Sequence, residues 1–317
     1  MKKIVVLGGG TGLSVLLKGL KLFPLDITAI VTVADDGSSS GELRREFDIF
    51  AVGDIRNVLV SLSEVEPLIE DLLQYRFVTD NSLNNHPMGN LLLTALYNIT
   101  GNLTESLRSL SKIFNIKGTI LPFTEENPVL IAHTKDGKVI EGESNITKAG
   151  REILYIEYKE KVRPTTEVIT AIGEADLIIF GIGSLYTSII PNLLADEVRE
   201  ALINSNAKKM YVCNIMSEHG ETDGYNVSDC IKKINSYVID DMIDVVVVNN
   251  KVVPNEIKDR YLQENASQIE IDYDVLNDMG VEIIEDELLL INDNKEVRHD
   301  SHRTALDIFN YIVKELK

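Results

Sequence analysis

Runs of apolar, β-branched residues alternate with helical patterns over most of this 317-residue chain. Residues 3–8, 27–35, 175–183, 208–216 and 242–250 are short, rich in Val and Ile, and apolar almost without alternation. Strands covered on both faces are written this way. Between them, apolar residues fall at helical spacing, as in 67–77, 89–99, 103–114 and 305–316. Strand and helix in alternation predict a parallel sheet with helices on both sides. One stretch breaks the rhythm. From about 117 to 162 there are short β-like runs, two of them joined at Asp136-Gly137, a strong hairpin signal. This stretch is expected to be a small antiparallel excursion, serving as a subdomain or as a contact between copies in a homo-oligomer. A second small β element is expected in 280–293. No repeat or long linker divides the chain, so a single α/β domain over 1–317 is expected.

The turns that follow the strands carry the chemistry. "GGGTG", Gly8 to Gly12, follows the first run and opens a helical pattern. Glycines let backbone approach a phosphate, and the next helix offers free N–H groups. Leu13 stands where a dinucleotide fingerprint wants glycine, and no Gly-Lys-Ser/Thr is present. Gly9, Gly10, Thr11 and Gly12 are therefore candidate phosphate ligands, with a ligand-free tight turn as the alternative. "GIGSLYTS" repeats this logic at a later strand end, adding Gly183, Ser184, Leu185 and Ser188. Two such turns at strand carboxyl ends can face one crevice.

Polar clusters supply further candidates. In "VTVADDGSSSGELRREF", Asp35 and Asp36 end a strand, where an acid can take a ribose hydroxyl or a magnesium ion. Ser38 and Ser39 follow as anion-loop material, although Asp, Ser and Gly also make ordinary turns. In "VGDIRNVLVSLS", Asp54 is expected to cap a helix, and capping leaves Asn57 unexplained. "HPMGN" places His86 and Asn90 at another helix start. Asn214 ends a strand before the polar stretch Glu218 to Gly224, a lid or sugar-contacting loop.

Composition removes whole classes of function. The formal net charge is −19, which leaves no footprint for nucleic acid and would be repelled by an anionic membrane surface. A small anion can still be held by backbone N–H groups and one or two arginines. Cys213 and Cys230 have neither zinc nor disulfide spacing and read as reduced, buried thiols. Lys2 and Lys3 precede an apolar run, but glycines break it at once, unlike a signal peptide. No run approaches the ~20 apolar residues of a membrane span. A cytoplasmic protein is expected.

Seven segments taken together carry a resemblance: "VVLGGGTGLSVLLKGLK", "VTVADDGSSSGELRREF", "GDIRNVLVSL", "HPMGNLLLTAL", "GSLYTSIIPNLL", "GETDGY" and "RHDSHRTALDIF". In this order they resemble the gluconeogenesis-factor (YvcK-like) proteins, which are similar in turn to CofD, the phospholactate transferase of coenzyme F420 synthesis. The resemblance runs over nearly the whole chain. Ile182, where the family usually has proline, and "NIMSEHGETDGY", where Thr-Gln-Pro is usual, depart from the pattern in substrate-facing loops. The resemblance implies a Rossmann-like three-layer fold and binding of a nucleotide or UDP-sugar, notably UDP-N-acetylglucosamine. It also implies a role in growth on gluconeogenic carbon, cell shape and cell-wall precursor supply, exerted on partner enzymes. It adds Tyr261 and Arg298 to the ligand site: a ring to stack on a base and a guanidinium to fork onto a diphosphate. Two readings follow. One is a binding regulator with no catalytic residue. The other is a magnesium-dependent transferase of the CofD type, with Asp36 and Asp54 holding the metal. A dinucleotide oxidoreductase is disfavoured by the broken fingerprint. Ser301, beside Arg298, is a candidate for phosphorylation or for a helix N-cap.

Overall fold

The computed structural model describes residues 1–47, 49–64, 67–80 and 83–316, and of Ser38 the backbone alone. The chain first lays down β1 (Lys2–Gly8), α1 (Gly10–Leu20) and β2 (Leu25–Val31). Five helices follow: α2 (Ser38–Phe47), α3 (Gly53–Leu62), α4 (Pro67–Gln74), α5 (Met88–Thr100) and α6 (Leu103–Ile113). Next come β3 (Thr119–Pro122), β4 (Leu130–Thr134), β5 (Val139–Glu141), α7 (Glu143–Ala149) and β6 (Ile153–Tyr158). Alternation then resumes with α8 (Thr166–Glu174), β7 (Leu177–Phe180), α9 (Asp196–Asn204), β8 (Lys208–Val212), α10 (Val227–Asn235) and β9 (Val245–Asn249). The remainder is α11 (Asn255–Gln263), α12 (Tyr273–Asp278), β10 (Glu282–Asp286), β11 (Leu289–Ile291), β12 (Val297–His299) and α13 (Ser301–Glu315).

Seven strands form the central sheet in the order β10-β9-β8-β7-β1-β2-β3. Every pairing in it is parallel. Pleating sends alternate residues of β1 to opposite faces. Ile4 and Val6 enter one core with Leu13, Leu16, Leu17 and Leu20 of α1 and with Ala305 and Ile308 of α13. Val5 and Leu7 enter the other with Val168 of α8, Leu202 of α9 and Ile231 of α10. This is the Rossmann-like three-layer arrangement that the resemblance implies. Local signals fix the helix starts: Asn102 accepts the Glu105 N–H at the head of α6, and Asn226 and Asp229 make a reciprocal capping box on α10.

Two expectations shift. The antiparallel excursion is narrower than 117–162, because Thr119–Pro122 pairs in parallel with β2 and closes one edge of the main sheet. The antiparallel sheet itself is β5-β4-β6. Near the C-terminus, the residues expected to form a small β element divide. Glu282–Asp286 become the other edge of the main sheet, and Leu289–Ile291 pair with Val297–His299. Both edge strands are short, so their apolar patterns resemble those of free hairpins.

The strand order reverses between β1 and β7. The chain moves outward from β1 through β2 to β3, then returns to β7 beside β1 and moves outward the other way. A crevice opens at such a point, beyond the carboxyl ends of the two strands.

Candidate functional site

The two glycine turns meet in that crevice. Gly9, Gly10, Thr11 and Gly12 follow β1, and Gly183, Ser184 and Ser188 follow β7; all seven line one cavity of about 350 Å³. The turns pack with no room between them. A methyl group on Gly12 would lie 2.4 Å from the Ile182 carbonyl oxygen, and one on Gly9 would lie 2.7 Å from an Asp54 carboxyl oxygen. Gly10 has φ +66°, a conformation that favours glycine. Asn214, at the end of β8, clamps the second turn, accepting the Gly183 N–H at 3.2 Å and donating to the Gly183 carbonyl at 2.8 Å. Asp54 is not a helix cap. Its carboxyl lies against the Gly10 N–H behind the first turn, and burial with Asp35 nearby pushes it up to about 7.

The far wall comes from the C-terminal part of the chain. Tyr261 of α11 lines the cavity, its hydroxyl accepting the Val297 N–H at 2.9 Å. That bond ties α11 to β12, which brings in Val297, Arg298 and His299. Arg298 is partnered by Glu296 at 2.9 Å, a half-buried contact that an incoming phosphate can replace. His299 bonds the Cys213 carbonyl through Nε2 at 3.0 Å, and burial holds it down to about 4, so it is neutral.

Other candidates have structural partners. Ser184 donates to the Glu221 carboxylate and accepts from the Thr187 N–H at 2.9 Å, heading a π-helical turn over Leu185–Ile189. Leu185 is buried in the core and does not line the cavity. Asp35 accepts the Gly37 N–H at 2.8 Å within its own turn. Asp36 accepts the Ser144 N–H at 2.8 Å and thereby holds the start of α7. Ser39 and Asn90 belong to an interior network in which Asn90 donates to Ser39 at 3.1 Å and Ser39 bonds His86 at 2.8 Å. His86 reaches Glu42 at 3.1 Å. Asn57 accepts from Arg56 at 2.7 Å and lines a second cavity, between α1, α3 and α4, whose wall includes Thr11 and Val15 of the first. The side chain of Ser38 lies outside the described residues. Asp300, not Ser301, caps α13.

Asp36 and Asp54, the metal pair of the transferase reading, both lie near Glu143 of α7, whose carboxyl is pushed up to about 7 by burial and by Asp35, Asp54 and Asp36. Asp36 is engaged with α7, and the carboxyl that bears on Asp54 is that of Asp35. Among the described residues no three His, Cys, Asp or Glu side chains gather as a metal site. Both cysteines are buried and free. Among the described residues no helix is long and apolar enough to cross a membrane.

Several lining residues had no signal strong enough to name them. Val15 reads as ordinary helix core, and Met216 and Ser217 as strand end. Glu218 was visible only as part of a polar loop. His299 sits in the quoted "RHDSHR" but has no motif spacing of its own.

Comparison with known proteins agrees with this architecture. The model of the family "2-phospho-L-lactate transferase CofD" matches residues 4–289. The gluconeogenesis factor of Bacillus subtilis is 48% identical over 304 residues, covering 96% of each chain. That of Halalkalibacterium halodurans is 45% identical over 305 residues, covering 96% of this chain and 94% of its own. A crystal structure of a Bacillus halodurans protein superposes with a TM-score of 0.94 at 45% identity, covering 97% of this chain and 99% of that one. In sequence and in fold, the chain belongs to the CofD family and, within it, to the gluconeogenesis factors.

Proposed function

We propose that the protein is a cytoplasmic regulator that binds a nucleotide or UDP-sugar, UDP-N-acetylglucosamine foremost. By acting on partner enzymes it supports gluconeogenic growth, cell shape and cell-wall precursor supply. One observation carries the binding half of this reading. Two phosphate-type turns from β1 and β7 form one wall of a single cavity, and Arg298 and Tyr261 stand on the other. Backbone N–H groups at the head of α1 suit a diphosphate, Arg298 adds charge, and Tyr261 offers a ring to a base. The names of the relatives support the link to gluconeogenesis, and the regulatory role, cell shape and cell-wall supply follow from the resemblance in sequence alone.

The test is thermal melting of the purified protein with UDP-N-acetylglucosamine, GDP and NAD, with and without magnesium. A ligand that binds only the folded state raises the melting temperature. A saturable rise with the UDP-sugar is expected, and no response to any uridine nucleotide would sink the reading. Arg298→Ala should weaken that binding by roughly tenfold without unfolding the protein, as for loss of a charge-assisted hydrogen bond. Equal affinities in wild type and variant would remove Arg298 from the site. The transferase reading is favoured by the description of the matching family. Product formed from a phospholactate donor and a deazaflavin acceptor would support it over the regulator.

A further inference from the structure

The cavity has one acidic side chain on its wall, Glu218. Its neighbours are committed: Ser184 to Glu221, Asn214 to Gly183, Ser217 to the Ser267 N–H, and His299 to the Cys213 carbonyl. The Glu218 backbone is equally fixed. Its N–H donates to Thr222 Oγ1 at 2.9 Å, and its carbonyl accepts the N–H groups of Glu221 and Thr222 at 3.0 and 2.9 Å. The carboxyl itself has no hydrogen bond among the described residues. A rigid loop thus holds a free carboxyl at the wall of a phosphate-type cavity.

We propose that Glu218 reads the hydroxyls of the bound ligand, so that the site selects a ribosyl or glycosyl diphosphate over a bare diphosphate or acyl phosphate. This rests on the nucleotide-sugar reading and deepens it. Carboxyl groups are suited to sugar hydroxyls, as the acid that takes the ribose of a dinucleotide illustrates. A charged carboxylate would repel the diphosphate beside it. Burial and the neighbouring Glu221 relieve that conflict by pushing Glu218 up to about 8. Burial raises Glu221 as well, but two donors on its carboxyl, Ser184 Oγ and the Tyr186 N–H at 3.2 Å, work against that rise, and Glu218 has neither. The proton therefore resides on Glu218, which offers one donor and one acceptor and no charge at neutral pH. The other ionisable groups at hand are Arg298 and the neutral His299 from β12, Tyr261 from α11, and the His219–Asp223 pair of the same loop.

Isothermal titration of wild type, Glu218→Gln and Glu218→Leu with UDP-N-acetylglucosamine and with inorganic pyrophosphate, between pH 7 and 9, tests this. Glutamine keeps the shape and a donor–acceptor pair without the proton. At pH 7 it should bind the UDP-sugar within about threefold of wild type, and leucine should lose about tenfold, a hydrogen bond's worth. Pyrophosphate affinity should be alike in wild type and Glu218→Leu. As pH rises past 8, wild type should lose UDP-sugar affinity that Glu218→Gln retains, the ligand's own titration being common to both. UDP-sugar affinity unchanged by Glu218→Leu, or a wild-type pH profile kept by Glu218→Gln, overturns the assignment. Failure of wild type to bind any of UDP-N-acetylglucosamine, GDP or NAD would instead bring down the functional reading and this assignment with it. Melting curves of each variant identify any that fails to fold.

Discussion

Asp54 illustrates how a residue's environment overrides its local signal. At the start of α3 an aspartate reads as a cap, yet the carboxyl lies against Gly10 and is pushed up to about 7. The native state therefore holds its proton more tightly than the unfolded chain, whose aspartates titrate near pH 4. Stability from this group is complete below the unfolded value and is lost as pH rises through about 7. Asp54→Asn, which keeps an acceptor for Gly10, should melt higher than wild type by a few degrees at pH 8. The advantage should grow from about pH 4 to pH 7 and then level off. A melting-temperature difference independent of pH would show that Asp54 is not the titrating group. The acid is thus held behind the phosphate turn at a cost in stability. Of the candidate side chains, Thr11, Ser184, Ser188, Asn214, Tyr261 and Arg298 do reach the cavity, whereas Ser39, Asn57, Asn90, Asp35 and Asp36 lie elsewhere. Polar residues at strand ends were legible as a group. Which of them face the crevice depends on partners 30 to more than 100 positions away in sequence, as with Ser144 on Asp36 and Glu221 on Ser184.

Between elements, the contact that matters most for the site is the crossing of α1 and α13. Gly19 lets the helices meet: a methyl group there would lie 1.9 Å from the Ser301 carbonyl oxygen and 2.8 Å from Ala305 Cβ. α13 follows directly on β12, which carries Arg298, so this contact also sets the far wall against the first turn. Gly19→Ala should destabilise by about 1–3 kcal/mol, the usual result of overpacking. It should also weaken UDP-sugar binding, because α13 can only relieve the clash by moving. Thermal melting and titration together check this, and a variant with wild-type melting temperature and affinity would show that the helices adjust freely. Sequence pattern located α1 and α13 correctly, since both have strong helical periods. It did not show that Gly19 is a crossing point, because a glycine in a helix looks the same wherever it packs. The short strands were the least legible. β3 and β10 read as hairpin pieces until their parallel partners β2 and β9 were in place.

For the whole molecule, the segment after β10 decides whether the crevice is a site. The family match ends at residue 289, before β12 and α13 begin. Arg298, Val297 and His299 thus come from outside the matched region, yet form one wall of the cavity. α13 also covers the α1 side of the sheet with Ala305, Ile308 and Ile312. A chain ended at residue 288 should melt well below the full chain and show no thermal response to UDP-N-acetylglucosamine, read by circular dichroism. An unchanged response would place the ligand against the two glycine turns alone. The net charge of −19 means that the field of the molecule would not draw an anion, so on the proposed reading local N–H groups and Arg298 must do so.

The sequence by itself determined the layers and the two glycine turns, because apolar period and the glycine requirement of a close turn are local properties. It also determined kinship, through the order of its motifs. Tertiary structure alone decided that β1 and β7 are neighbours, and so that "GGGTG" and "GIGSLYTS" share one cavity. It also assigned Asp36 to α7, moved Asp54 behind the turn and left Glu218 facing the cavity with its carboxyl free. The physical reason is that hydrogen-bond partners and buried charge are settled by residues distant in sequence, whereas strand, helix and turn are settled by residues close by.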